Sequence, residues 1–175
     1  MKKVRILTVL LAAMLLFCGC SSDGSGAPNG MKELSNDLVD YNLYVPTGWT
    51  EDISTRFVSA YVSENDRTNI SMEAFEIEKP DGMTPASFWE SYQADFEATF
   101  SDMELLSSDS MLLGGQPAMK YVYNATVTGD SYRFMQVICI RGVTVYIFTY
   151  TASPDRYDVH LQAVEAILSY FSFRD

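Results

Sequence analysis

The chain has 175 residues, enough for one domain with a short extra segment. It is 47% hydrophobic and 13% aromatic, ample for one packed core, and its formal charge is −11. So acidic a surface repels nucleic-acid phosphates and anionic lipid, and no basic patch interrupts it, so nucleic acid is not an expected partner.

The first twenty residues have the three parts of a secretory signal. Lys2, Lys3 and Arg5 form a positive start, and Ile6 to Phe17 is apolar except for Thr8. That run is too short to hold a bilayer as a stable span. It leads through Cys18 and Gly19 to Cys20, and the stretch resembles the bacterial lipoprotein signal. There a lipobox ends in Gly-Cys, and the acylated cysteine becomes the new N-terminus. Phe17 stands where that pattern favours leucine, with Leu16 one place earlier. The resemblance implies a signal peptide over 1–19, a lipidated Cys20, export, and anchoring at the extracytoplasmic face of the cell membrane. Loss of the three signal cations takes the charge from −11 to −14 and leaves Cys139 as the only free thiol. No internal disulfide is then expected. Each acyl CH₂ buried in lipid contributes about 0.8 kcal/mol, so two or three chains hold firmly. Residues 20–30 read as a lipidated cysteine and a Gly/Ser-rich tether, with a reach of about 15–20 Å.

Residues 31–175 read as one globular domain. Tyr41 to Val45 is a strand candidate stopped by the turn residues Pro46 to Trp49. Arg56 to Ser63 is a second strand, and Glu64 to Arg67 a polar turn. Asn69 to Ile77 is a third, with Ile70, Met72 and Ala74 on one face. Phe75 and Ile77 fall on the other face, which implies cover on both faces or a bulge near Ala74. Met83 to Phe100 is a helix. Thr84 is its expected cap and Pro85 its first position, with an apolar stripe of Phe88, Trp89, Tyr92, Phe96, Thr99 and Phe100. Met103 to Leu113 supplies one or two short strands. Pro117 to Ala152 then carries three runs of β-branched and aromatic residues, broken at Gly129-Asp130 and Arg141-Gly142, the signature of an antiparallel meander. Both of its faces read as apolar, which calls for cover on both sides. Ser153 to Phe171 is a second helix with Ser153 as expected cap, and Phe171 to Phe173 ends extended. The whole is an α+β fold, an antiparallel β-sheet meander flanked by helices on both faces.

This order resembles the PsbP-like family, an α/β/α sandwich, over about Tyr41 to Phe173. The matching residues are Pro46-Thr47-Gly48-Trp49 after a strand, Phe88-Trp89 in the first helix, Gly114 to Ala118 before the meander, and Ser169 to Phe173 at the end. The family includes extrinsic photosystem II subunits, a nuclear Ran-binding protein and bacterial lipoproteins. The resemblance carries no functional residues, since the matching positions are turns and core. It implies a non-catalytic accessory or binding module; a Ran-binding role does not go with an export signal.

The residues themselves offer little chemistry. His160 is the single histidine, with no second ligand at zinc spacing, and reads as a helix-flank residue. Cys139 lies mid-strand among apolar residues, where cysteine acts as a small hydrophobe. Asp95 and Glu97 are two apart on a helix, so they point different ways and read as a solvated face. Glu51-Asp52 and Glu64-Asn65-Asp66 could offer oxygens to calcium but lack the EF-hand spacing, and read as polar loops. Asn124-Ala125-Thr126 reads as strand. Trp89 is expected in the core, and Trp49, just after a turn, at a rim. No catalytic residue, metal ligand or cofactor site is assigned. The expected function is that of a membrane-anchored lipoprotein binding a protein or small ligand at the cell surface. Alternatives are a structural subunit of an envelope complex and a hydrolase using an unrecognised carboxylate site.

Overall fold

The computed structural model describes residues 26–78, 82–100 and 102–174, without the side chains of residues 96 and 97. The expected signal peptide, Cys20 and the first part of the tether lie outside the described residues. In chain order the elements are β1 (Met31–Glu33), β2 (Tyr41–Asn42), β3 (Tyr44–Pro46), β4 (Thr50–Glu51), β5 (Val58–Ser63), β6 (Asp66–Glu76), α1 (Pro85–Thr99), β7 (Glu104–Leu113), β8 (Gln116–Val127), β9 (Asp130–Arg141), β10 (Thr144–Ala152), α2 (Pro154–Tyr170) and β11 (Ser172–Phe173).

The expected meander is present as β8, β9 and β10, and it forms the centre of a larger sheet. Seven antiparallel strands run in the order β4-β5-β6-β10-β9-β8-β7. The β8–β9 hairpin closes through Thr128 and Gly129, both at positive φ (51° and 96°), the backbone that matches the twist of the flanking strands. Residues 103–113, expected as one or two short strands, form the single strand β7, paired with β8 along its length. A register shift between Leu105 and Ser107 accommodates one extra residue there. Residues 41–45 split into β2 and β3. These leave the main sheet and pair with β11 and β1.

No bulge lies near Ala74, which is exposed, and Phe75 and Ile77 are half-buried against the cluster of Phe88 and Trp89. β6 pairs with β10 without a shift from Asn69 to Glu76, and the irregularity lies between Tyr61 and Ser63 on β5. Alternate residues of β10 accordingly enter different apolar clusters. Tyr146, Phe148 and Tyr150 pack with Val137, Cys139 and the α2 residues Tyr157, Val164, Ile167 and Leu168. Val145 and Ile147 pack with Ile138, Tyr121, Tyr123 and the α1 residues Phe88 and Trp89. Each such side chain withdrawn from water contributes about 1.5–3 kcal/mol, which is what pins the strand register. The fold is α+β, a large antiparallel sheet with two helices.

The helix ends differ in how they are capped. Thr84 caps α1 as expected: Ser87 N donates to Thr84 Oγ1 at 3.2 Å, and Thr84 N donates to Ser87 Oγ at 2.9 Å. Ser153 does not cap α2 with its side chain. Its hydroxyl donates to Asp155 Oδ1 at 2.7 Å, and its carbonyl accepts from the amides of Arg156 and Tyr157. The α1 stripe is narrower than its spacing implied. Phe88 and Trp89 are buried against β8, β9, β10 and Phe75 of β6, whereas Tyr92 and Thr99 are exposed on the flank of the helix turned away from the sheet. Trp49, expected at a rim, is buried, since β3 and α2 close over it.

Candidate functional site

The chain turns at Glu64 and Asn65, and Asp66 opens β6. Residues four apart on a helix share a face, so α2 presents Arg156 and His160 together. They meet Asp66, which lies 90 positions before Arg156. Arg156 Nη2 and Nε donate to Asp66 Oδ2 at 2.6 and 3.0 Å, and His160 Nε2 lies 2.8 Å from the same oxygen. Thr68 N donates to Asp66 Oδ1 at 3.1 Å. Burial alone would raise the Asp66 carboxyl. Hydrogen bonds from Thr68, Arg156 and His160 outweigh it and hold the group well below the usual carboxylate range. The Trp49 ring stands edge-on to the imidazole, with centroids 6.1 Å apart. Asp66 and Arg156 line the inner wall of a cleft of about 680 Å³.

Each residue the sequence raised for chemistry has a place. His160 belongs to this ion cluster, a contact that a local sequence pattern does not reveal. The oxygens weighed for calcium are engaged otherwise: Asp66 by Arg156 and His160, Glu64 by the Tyr61 hydroxyl at 2.6 Å and by Arg67, and Asp52 by Ser54. Hydrogen bonds from Ser54 hold the Asp52 carboxyl below its ordinary value. Glu51 is exposed in β4. Cys139 is buried in the core, and burial pushes its thiol up to about 11. Asp95 is exposed, and the Glu97 side chain lies outside the described residues. Asn124 accepts from Arg133 Nε at 3.0 Å, within β8. Trp89 is in the core, stacked on Tyr121 with centroids 4.1 Å apart. Among the described residues no group of three or more His, Cys, Asp or Glu side chains is placed to hold a metal ion.

A second feature was not expected. Registry places Ser59, Ser71, Thr149, Gln136 and Tyr121 side by side across β5, β6, β10, β9 and β8. The adjacent row on the same face is Tyr61, Asn69, Thr151, Phe134 and Tyr123. Directly opposed residues share a face of the sheet, so Asn69, Ser71, Thr149, Thr151 and Gln136 form one hydrophilic patch on the side that carries α1. All five are half-buried. Gln136 Nε2 donates weakly to Thr149 Oγ1 at 3.4 Å, and Gln136 Oε1, fully buried, has no hydrogen-bond partner among the described residues. α1 packs on β8 and β9 and reaches Phe75 of β6 through Phe88, while the cleft by β5 is lined by strand and loop residues. The β5 end of the patch opens into a cleft of about 600 Å³ lined by Ser59, Tyr61, Asn69 and Ser71, with Phe57, Asp52 and the paired Glu64 and Arg67 at its sides. This corrects the expectation that both faces of the meander are apolar. The signal was present in the alternation of Thr149 with Thr151 and in Gln136 between Phe134 and Ile138.

No family model matches the chain, and no curated protein matches it. Solved structures do resemble it in fold. The solution structure of cyanobacterial PsbP from Synechocystis sp. PCC 6803 gives a TM-score of 0.61 at 16% identity, covering 88% of this chain and 98% of that one. The Ran-binding protein Mog1p of Saccharomyces cerevisiae gives 0.60 at 13% identity, covering 83% and 96%. A Pseudomonas aeruginosa protein of unknown function gives 0.58 at 19% identity, covering 83% and 98%. The chain has the PsbP-like fold.

Proposed function

We propose that the chain is a bacterial lipoprotein, held by an acylated Cys20 at the extracytoplasmic face of the cell membrane, whose domain binds a ligand or protein partner without catalysing a reaction. In this reading residues 1–19 are removed, 20–30 are the lipidated cysteine and tether, and 31–175 are one domain with a helix on each face of its sheet. The observation that carries the non-catalytic part is how the titratable groups are engaged. Asp66 and His160 are tied to each other and to Arg156, and the two carboxylates lining the separate cleft by β5 are engaged as well, Asp52 by Ser54 and Glu64 by Tyr61 and Arg67. A hydrolase working through carboxylates needs a general acid whose pKa is raised. The carboxyls of Asp52, Asp66 and Asp102 are all held below their ordinary range, each chiefly through hydrogen bonds donated to it. The solved structures of like fold include a protein described as Ran-binding, which accords with use of this fold for binding.

The anchor is tested by the intact mass of protein extracted from membranes. Acyl chains on Cys20, with residues 1–19 gone, are expected; a mature N-terminus elsewhere would overturn the assignment. The binding role is tested by crosslinking in intact cells followed by purification. A partner or ligand recovered in fixed ratio supports it, and a stoichiometric membrane complex that falls apart without this chain would favour the structural-subunit alternative.

A further inference from the structure

We propose that the hydrophilic patch on β6, β10 and β9 is a binding site for a neutral saccharide, entered through the cleft beside β5. The inference rests on the reading of the chain as a binding module and not on its lipid anchor.

The first argument is what the patch offers. Ser71, Thr149 and Thr151 present hydroxyls, each able to donate and accept, and Asn69 and Gln136 present amides that do both. The Asn69 amide nitrogen donates to Arg67 O at 3.0 Å, so its oxygen and second N–H are what it can offer a ligand. Such an array complements a ligand whose groups also donate and accept, as sugar hydroxyls do. Gln136, in the same row as Ser71 and Thr149, has its Oε1 buried and without a donor among the described residues. A buried acceptor left in that state is costly, and a donor from a ligand reaching it would recover the loss.

The second argument is spacing. Tyr61 and Phe134 bracket Asn69 and Thr151 in one row. Three strand spacings of about 4.7–4.9 Å set the two aromatic residues about 14 Å apart. Between them lies a polar floor. Arg67 lies over the Tyr61 ring at 4.7 Å and Phe134 is stacked on Tyr123, so the rings set the length of the site and the hydroxyls and amides between them carry the recognition of a short oligosaccharide. The third argument is charge. None of the five patch residues is ionisable. At the margins Glu64 is paired with Arg67 at 3.4 Å, Asp52 is bonded to Ser54, and Glu73 lies one row further along β6. An anionic ligand would face Glu73, and among the described residues no cation lies within the patch to compensate it.

The test is NMR on the full chain in a zwitterionic detergent, titrated with neutral oligosaccharides (β-1,4-linked N-acetylglucosamine, α-1,4-linked glucose, α-linked mannose) and with sialylated and sulfated members as charged comparators. Saturable amide shifts centred on residues 69–71, 134–136 and 149–151 are expected with at least one neutral member. Ser71→Val with Thr149→Val should weaken that binding by about tenfold or more while the remaining spectrum stays folded. The wild-type shift map decides should that variant fail to fold. Absence of saturable shifts with every neutral member, shifts that map elsewhere, preference for charged members, or unchanged affinity in the folded variant would each overturn the proposal. A partner recovered by crosslinking despite such a result would leave the binding-module reading intact and remove only the saccharide.

Discussion

Arg174 Nη2 lies 2.7 Å from Glu33 Oε1, so a residue at the end of the described chain ties down its first strand. The same guanidinium donates to Asn42 Oδ1 at 2.7 Å and to the carbonyl oxygens of Asn36 and Val39 at 2.8 and 3.1 Å. With β11 paired to β2, these bonds close the loop over residues 34–40 against the rest of the fold. Arg174→Ala should destabilise the protein by about 1–3 kcal/mol. Hydrogen exchange should quicken over residues 34–42 and stay unchanged in β8, β9 and β10. Uniform quickening across the sheet would show that the clasp is not local.

The Asp66 cluster predicts a loss of stability in acid. Its folded carboxyl titrates well below its unfolded value near 4. The bound form is the ionised one, so its contribution is fully present above about pH 4 and is lost as pH falls from there. Asp66→Asn should destabilise the protein by about 2 kcal/mol at pH 7, because Arg156 loses its paired charge, and should flatten the acid limb of the stability curve. Urea denaturation between pH 2 and pH 7 measures both effects; parallel curves for the two proteins would contradict this account.

Gly114 is needed where it stands. Its φ is +54°, and a Cβ there would lie 2.9 Å from Phe173 Cδ2 and 3.1 Å from Phe171 Cδ1. Gly115, at φ +80°, has nothing within 4 Å of the same position. Gly114→Ala should therefore cost about 2–4 kcal/mol, from strain and overpacking together, and Gly115→Ala about 1 kcal/mol from backbone strain alone. Thermal unfolding of the two variants side by side tests the difference; equal losses would mean the aromatic pair yields freely.

Cys139 should be inert in the folded protein. It is fully buried, and its thiol is pushed up to about 11 by burial, so little thiolate forms at neutral pH. In protein expressed from residue 26, where Cys139 is the only thiol, modification by an aromatic disulfide reagent should follow global unfolding across a urea series. Rapid labelling in native buffer would show that β9 opens locally.

Tyr150 OH donates to Tyr157 O at 2.7 Å within the core. Tyr150→Phe leaves that helix carbonyl without its side-chain partner and should cost about 1 kcal/mol by urea unfolding, with unchanged secondary structure. A variant as stable as the parent would mean the helix carbonyl is satisfied by its own turn.

Local pattern carried the α1 cap at Thr84, a hairpin break read at Gly129-Asp130 and found one residue earlier at Thr128-Gly129, both helices, and the apolar alternation of Tyr146, Phe148 and Tyr150 in β10, because caps, turns and periodicity are set by neighbours within a few residues. It failed where the deciding partner is remote. Trp49 follows a turn, as rim residues do, but its burial comes from β3 and α2. His160 reads as a lone flank residue until the fold brings Asp66 to it.

By itself, then, the sequence determined the class of fold, the order of its main elements and an N-terminal pattern that reads as a lipoprotein signal, all properties of adjacent residues and their spacing. Tertiary structure alone decided the rest. Strand order and register aligned Ser71, Thr149 and Gln136 into one row from three separate strands. The packing of the loops and strands around β5 left that row open at its Ser59–Ser71 end. No short-range rule encodes either fact, because each depends on which strands pair and on where the loops come to rest beside the finished sheet.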